Sequence, residues 1–241
     1  MPRFQMLGFD ADDTLWHNEK YYVQSQARFR ELLGRYCGPE AIDGELHRTE
    51  MRNIERYGYG IKGYALSMIE TAVRLSEGRV SGPDVMKIIM IARDLLDAPM
   101  ELLDHADRII PLLASSFPLM LVTKGDLRDQ ESKIARSGLA KHFRHVEILS
   151  NKKPQDYRAL LERHGIRAQR FLMVGNSLRS DIWPVLDVGG SAVYVPHHLT
   201  WEHEAAAEPS STHPGYATVE HLGLLPGLLE RLDGRIDSAP A

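Results

Sequence analysis

The sequence predicts an α/β fold: a parallel sheet between helical layers, with an all-α segment inserted after the first strand. Three observations predict it. Short apolar runs recur at Phe4 to Phe9, Leu119 to Val122, Val146 to Leu149, Phe171 to Val174 and Ala192 to Val195. Helical stretches separate the later runs from one another, the alternation that builds parallel βαβ units. Between the first run and the second the pattern changes, and apolar residues fall at three and four spacing, as in Val23, Ala27, Phe29, Leu32, Leu33 and again in Leu66, Ile69, Ala72, Val73,.

The elements follow in order. Phe4 to Phe9 is strand-like and ends in three acids within four positions, Asp10, Asp12 and Asp13. From Asn18 to about Asp104 the breakers Gly38-Pro39, Tyr57 to Gly63, Gly78, Ser81-Gly82-Pro83 and Pro99 cut the helical pattern into about four helices, with Asp84 in the first turn of the last,. The four later strands follow. His197 to Tyr216, polar and rich in proline and histidine, reads as a long surface loop before a final helix around Leu222 to Leu232, and Asp237 to Ala241 as a frayed end,. The expected division is a core of residues 1–16 and 105–241 and a helical lobe of residues 17–104.

Composition narrows the function classes. The 241 residues are 43% hydrophobic, enough for a sizeable core, and a formal charge of −4 offers no basic surface for nucleic acid or anionic lipid,. One cysteine, Cys37, excludes an internal disulfide and a cysteine zinc cluster; it favours a reducing compartment, with cytoplasm the default, and reads as a core residue,. Met1 to Asp10 is too short for a secretory signal, and no run approaches the ~18 apolar residues of a membrane span.

In an open parallel sheet, ligands bind beyond the carboxyl ends of the strands. Those positions hold Asp10, Asp12 and Thr14; Thr123, Lys124, Gly125 and Asp126; Ser150, Asn151, Lys152, Lys153 and Pro154; Gly175, Asn176, Ser177 and Asp181. Carboxylates in this number cannot be buried cheaply without a neutralising partner. Oxygen ligands for a hard cation, a hydroxyl beside loop amides and a lysine together describe a site for Mg2+ and a phosphoryl group. No arrangement of a base with serine or cysteine competes.

With these residues the chain resembles the haloacid dehalogenase superfamily over nearly its whole length. The DxDx(T/V) motif stands as Asp10-Ala11-Asp12-Asp13-Thr14, the hydrophobic run ending in a hydroxyl as Leu121-Val122-Thr123, the lysine motif as Lys152-Lys153-Pro154 and the acidic motif as Gly175 to Asp181. The resemblance implies a three-layer Rossmann-like core with an inserted helical cap. It also implies Asp10 as nucleophile forming an aspartyl-phosphate and Asp12 as general acid and base, both carboxylates pointing the same way if the strand continues through them. Thr123 and the amides of Lys124 and Gly125 would hold phosphoryl oxygens, and Lys153, preferred to Lys152 because the family's lysine usually precedes the proline, would neutralise charge. Mg2+ would take Asp10, the carbonyl of Asp12, Asn176 and Asp181; Asn176 stands where many members have an acid, so the order of Asn176 and Asp181 around the metal stays open.

Asp12 sets this chain apart from the superfamily's dehalogenases, which lack an acid there, and from its ion pumps, which have threonine. The expected activity is that of a Mg2+-dependent phosphatase on a small phosphorylated metabolite, with a phosphomutase or a non-catalytic Mg2+- and phosphate-binding protein as alternatives. Lys62, in the glycine- and tyrosine-rich tract Tyr57 to Tyr64, either reaches over the leaving group or belongs to a plain turn. Trp16 and His17 either line the site or are a packed aromatic and a solvated histidine. Asp13 reads as a turn or capping residue. His197, His198, His203 and His213 lack the acid and the spacing of a helical zinc site.

Overall fold

A computed structural model describes residues 3–232 of the chain, so the expected frayed end at Asp237 to Ala241 lies outside the described residues. The described residues form two compact units: 3–17, 100–124 and 133–232 in one, and 18–99 with 125–132 in the other.

The first unit is built on a six-stranded parallel sheet of β1 (Met6–Phe9), β2 (Leu119–Lys124), β3 (His145–Leu149), β4 (Phe171–Gly175), β5 (Ser191–Tyr194) and β6 (Tyr216–Thr218). Their order is β3-β2-β1-β4-β5-β6. Side chains alternate across each strand and so build two core layers. Leu7, Phe9, Leu119, Leu121, Leu172, Val174 and Val193 face Ile109, Ile110, Leu113, Leu225 and Leu229, from helices α5 (Ala106–Ala114) and α9 (Leu225–Leu232). Met6, Met120, Val122, Phe171 and Met173 face Tyr157, Leu160 and Leu161 of α7 (Pro154–Arg163). Both faces are covered, which is why these strands read as continuous apolar runs rather than as alternating patterns. Gly8 is required by packing, since a Cβ there would overlap the Phe171 ring.

Strand order changes direction between β1 and β4: β2 and β3 extend the sheet on one side of β1, and β4 returns to its other side. The carboxyl ends of these two strands therefore flank the crevice at a topological switch point. β1 stops at Phe9, so Asp10 and Asp12 lie beyond the strand. The next residues turn back, with Leu15 N bonded to Ala11 O at 2.8 Å and Asp13 N to Trp16 O at 2.7 Å, and Asp13 takes a left-handed φ of 58°.

The second unit contains α1 (Glu19–Leu33), α2 (Pro39–Tyr57), α3 (Ile61–Leu75) and α4 (Gly82–Leu96), packed around Phe29, Leu33, Ile42, Leu46, Tyr64, Met68, Ile88 and Ile91. Ser81 caps α4 by accepting from Asp84 N at 3.3 Å,. Cys37 packs, partly buried, against this core.

Two details depart from the sequence reading. Residues 125–132, including the start of α6 (Leu127–Ser137), group with the helices, because Gly60 lies against the Asp126 backbone and Lys62 Nζ is 2.9 Å from Asp126 Oδ2. The segment read as one surface loop carries a 3-10 turn at Glu202–Glu204 and leads into the edge strand β6.

Candidate active site

Asp10 leaves β1 with its N–H bonded to Val174 O on β4 at 2.9 Å. Its Oδ1 pairs with Lys152 Nζ, and its Oδ2 accepts from Thr14 Oγ1 at 2.9 Å. Lys152 Nζ also lies 2.8 Å from Asp181 Oδ1, while Ser177 N donates to Asp181 Oδ2 at 3.0 Å. One ammonium thus stands between two carboxylates. The Lys152 and Asp181 side chains are 1% and 0% exposed, so solvent screens this pair little,. Burial draws the Lys152 ammonium down, but Asp10 and Asp181 outweigh it and hold the group well above its ordinary value,. Burial and then Asp10 push the Asp181 carboxyl up, against Lys152. Gly175 admits this arrangement, since a Cβ there would overlap the Asp181 carboxylate.

The lysine that reaches Asp10 is Lys152, which corrects the choice of Lys153. Lys153 takes an extended conformation as N-cap of α7, with its N–H bonded to Asp156 Oδ2 at 2.8 Å and its side chain exposed. The residue before a helix beginning in proline is pushed to extended backbone. Here that sends Lys153 outward and leaves its predecessor to turn inward.

Asp12 has different partners. Lys133 Nζ bonds its Oδ1 and Oδ2 at 2.8 and 2.7 Å, and Trp16 Nε1 donates to Oδ1 at 2.7 Å. The strand ends at Phe9, and in the turn beyond it each carboxylate meets its own lysine, Asp10 Lys152 and Asp12 Lys133. Trp16 is fully buried and serves Asp12 directly. Nothing in the sequence singles out Lys133, which lies mid-helix on α6.

Asn176 closes the cluster. Its N–H donates to Thr14 Oγ1 at 3.1 Å. One terminal atom of its carboxamide lies 3.1 Å from Thr14 Oγ1, 3.2 Å from Asp10 Oδ2 and 3.3 Å from Asp12 O. Turned with the amide nitrogen inward, Asn176 donates to these oxygens. Turned with the carbonyl oxygen inward, it completes a group of oxygens that a cation would hold together. The donors are those of a hard divalent ion, and the residues fit Mg2+.

Thr123 is buried at the carboxyl end of β2. Lys124 Nζ bonds Ser180 Oγ at 2.8 Å and pairs with Glu204, which also accepts from Ser177 Oγ and, at 2.5 Å, from Ser180 Oγ. Burial alone would raise the Glu204 carboxyl, but Lys124 and the two hydroxyls prevail and hold it at about 2. Glu204 comes from the segment read as a surface loop, so the sequence reading missed it. Gly125 has φ 139°, and Lys62 is occupied by Asp126 in the helical unit.

A model of the haloacid dehalogenase-like hydrolase family matches residues 5–189. Among solved structures, a haloacid dehalogenase-like family hydrolase from Xanthomonas campestris is 37% identical, with 97% of this chain and 93% of that one covered and a TM-score of 0.87. The HAD-hydrolase YfnB from Bacillus subtilis, bound to magnesium, is 18% identical over 94% of this chain and 99% of its own, with a TM-score of 0.65. An L-2-haloacid dehalogenase from Xanthobacter autotrophicus, with chloropropionic acid covalently bound, is 15% identical over 94% and 98%, with a TM-score of 0.63. The last two share the fold. The comparison with curated proteins found no match. Among the described residues, no helix is long and apolar enough to cross a membrane.

Proposed function

The chain belongs to the haloacid dehalogenase-like hydrolases, and on that premise we propose that it is a Mg2+-dependent phosphatase acting on a small phosphate monoester. The observation that carries this reading is the pair of carboxylates with separate support: Asp10 against Lys152 and Thr14, and Asp12 against Lys133 and Trp16. A displacement at carbon needs a nucleophile but no second acid to protonate a leaving alcohol. A two-step phosphoryl transfer to water uses both groups.

In the first step an Asp10 oxygen forms a bond to phosphorus as the bond to the leaving oxygen breaks, and Asp12 supplies that oxygen with a proton. In the second, water attacks phosphorus, Asp12 takes its proton, and Asp10 and inorganic phosphate are released. Lysine and indole N–H groups only donate. Asp12 therefore accepts on both oxygens here, the arrangement in which a carboxylate takes a proton in the second step. The first step requires a proton on Asp12, hence a looser Lys133.

Lys152 would offset the negative charge that gathers on Asp10, and Thr123 with the Lys124 amide would supply phosphoryl-oxygen donors. Asp10, the Asp12 carbonyl and Asn176 would hold Mg2+, which when bound withdraws charge from the phosphoryl oxygens. Asp181, gripped by Lys152 and Ser177 N, would act from behind these ligands.

The test is a phosphate-release screen over phosphorylated metabolites with Mg2+, run beside halide release from 2-haloacids. Phosphate release that disappears with chelator and with Asp10→Asn supports the proposal. Halide release alone would replace it with dehalogenation, and an isomeric phosphate ester as product would indicate a mutase.

A further inference from the structure

Asp13, His17 and His197 each offer a ligand atom within 4.8 Å of the other two. All three belong to the sheet unit, and they join the turn after β1 to the loop after β5. The chemical reading above uses none of them.

Each is placed by its backbone. Asp13 sits at φ 58°, a left-handed conformation that aspartate tolerates better than most residues, and is buried,. His17 is fixed by its N–H, which donates to Glu101 O at 2.9 Å beside the bridge between Trp16 and Leu102. The His197 side chain is 6% exposed and lies against His17 edge to face, with ring centroids 6.0 Å apart. Its Nδ1 lies 3.8 Å from Asp13 Oδ1.

The hydrogen bonding of His197 matters most. Its Nδ1 is 2.7 Å from Leu199 O, and a carbonyl only accepts, so Nδ1 carries the proton,. In the neutral ring the lone pair is then on Nε2, which is buried and makes no hydrogen bond. A backbone carbonyl on one ring nitrogen is the contact that orients metal-binding imidazoles. An unsatisfied buried nitrogen is otherwise a cost with no return.

We propose that Asp13, His17 and His197 form a second metal site, separate from the oxygen cluster at Asp10, for a transition dication of the zinc class. Two imidazoles and one carboxylate suit such an ion and not Mg2+, which takes oxygen ligands. Three protein ligands leave a coordination position open for water or another small ligand. The dication places positive charge beside the buried Asp13 carboxylate and ties two strand ends together.

Co2+, whose visible d–d bands report nitrogen coordination, is the probe. The full-length protein is stripped with chelator, returned to excess Mg2+ and titrated with Co2+, then with Zn2+ as competitor. The expected result is one tight equivalent of Co2+, displaced by Zn2+ and retained in Asp10→Asn. His17→Gln, His197→Gln and Asp13→Asn should each weaken it by more than about tenfold, since disturbing even an outer partner of a metal ligand has effects of that size. Histidine ring 15N shifts of the wild type on adding Zn2+ do not depend on any variant folding, and both His17 and His197 should move. No uptake in the presence of Mg2+, unchanged affinity in folded His197→Gln, or unmoved His17 and His197 resonances would overturn the proposal.

Discussion

Lys133 holds Asp12 by both carboxylate oxygens, at 2.8 and 2.7 Å, from 121 residues further along the chain. The pair is mostly shielded, with the two side chains 11% and 22% exposed. On the proposed reading Asp12 gains and loses a proton in each turnover, and this ion pair favours its ionised form. Asp12→Ala should lower kcat about 10²- to 10⁴-fold, the usual worth of a positioned acid and base. Lys133→Met should cause part of that loss and shift the pH profile of kcat, with little further effect when added to Asp12→Ala. Steady-state kinetics on the four proteins of this cycle check it.

The two neighbouring lysines should behave oppositely. Lys152→Ala leaves Asp10 and Asp181 buried without the ammonium between them, and losing one partner of a buried pair costs about 3–5 kcal/mol. Lys153→Ala removes an exposed side chain and should stay within about 0.5 kcal/mol. Denaturant unfolding with Mg2+ absent separates them, and activity should vanish only in the first.

Removing the metal should abolish turnover, and readding Mg2+ should restore it. Asn176→Ala takes one oxygen from the cluster at Asp10 and should raise the Mg2+ needed for half activity, while Asn176→Asp should lower it by adding charge. Mg2+ titrations of activity and of melting temperature both report this.

Two glutamates give stability opposite dependences on pH. Glu204 is held at about 2 against an ordinary 4.5, so its contribution is present above pH 4.5 and lost as pH falls through about 2,. Burial raises Glu50, in the helical unit, from 4.5 to about 7, so its ionisation opposes folding increasingly from pH 4.5 and in full above about 7,. Each shift is worth roughly 3 kcal/mol at most. Glu50→Gln should therefore stabilise the protein at pH 8 and do nothing at pH 4, whereas Glu204→Gln should destabilise it at pH 7. Unfolding across this range is the measurement.

The strands whose ends hold the candidate site were legible because burial on both faces writes them as apolar runs, and polar residues at their ends could be gathered by topology alone. β6 was not, since Tyr216–Thr218 is a three-residue edge strand in a polar stretch. Lys133 and Glu204 were hidden because they reach the site from a helix interior and a loop, with no spacing to mark them. The choice between Lys152 and Lys153 turned on the extended N-cap before Pro154. Spacing within the histidine-rich loop marks no site, because the Asp13 and His17 neighbours of His197 come from the other end of the sequence.

Covalent phosphorylation of Asp10 is the most direct test. Turnover of para-nitrophenyl phosphate with Mg2+ is stopped in acid, and the peptides are weighed by mass spectrometry. A phosphoryl group on the peptide carrying Asp10, absent in Asp10→Asn, is the predicted result. Steady turnover with Asp10 unmodified, and undiminished in Asp10→Asn, would contradict the account.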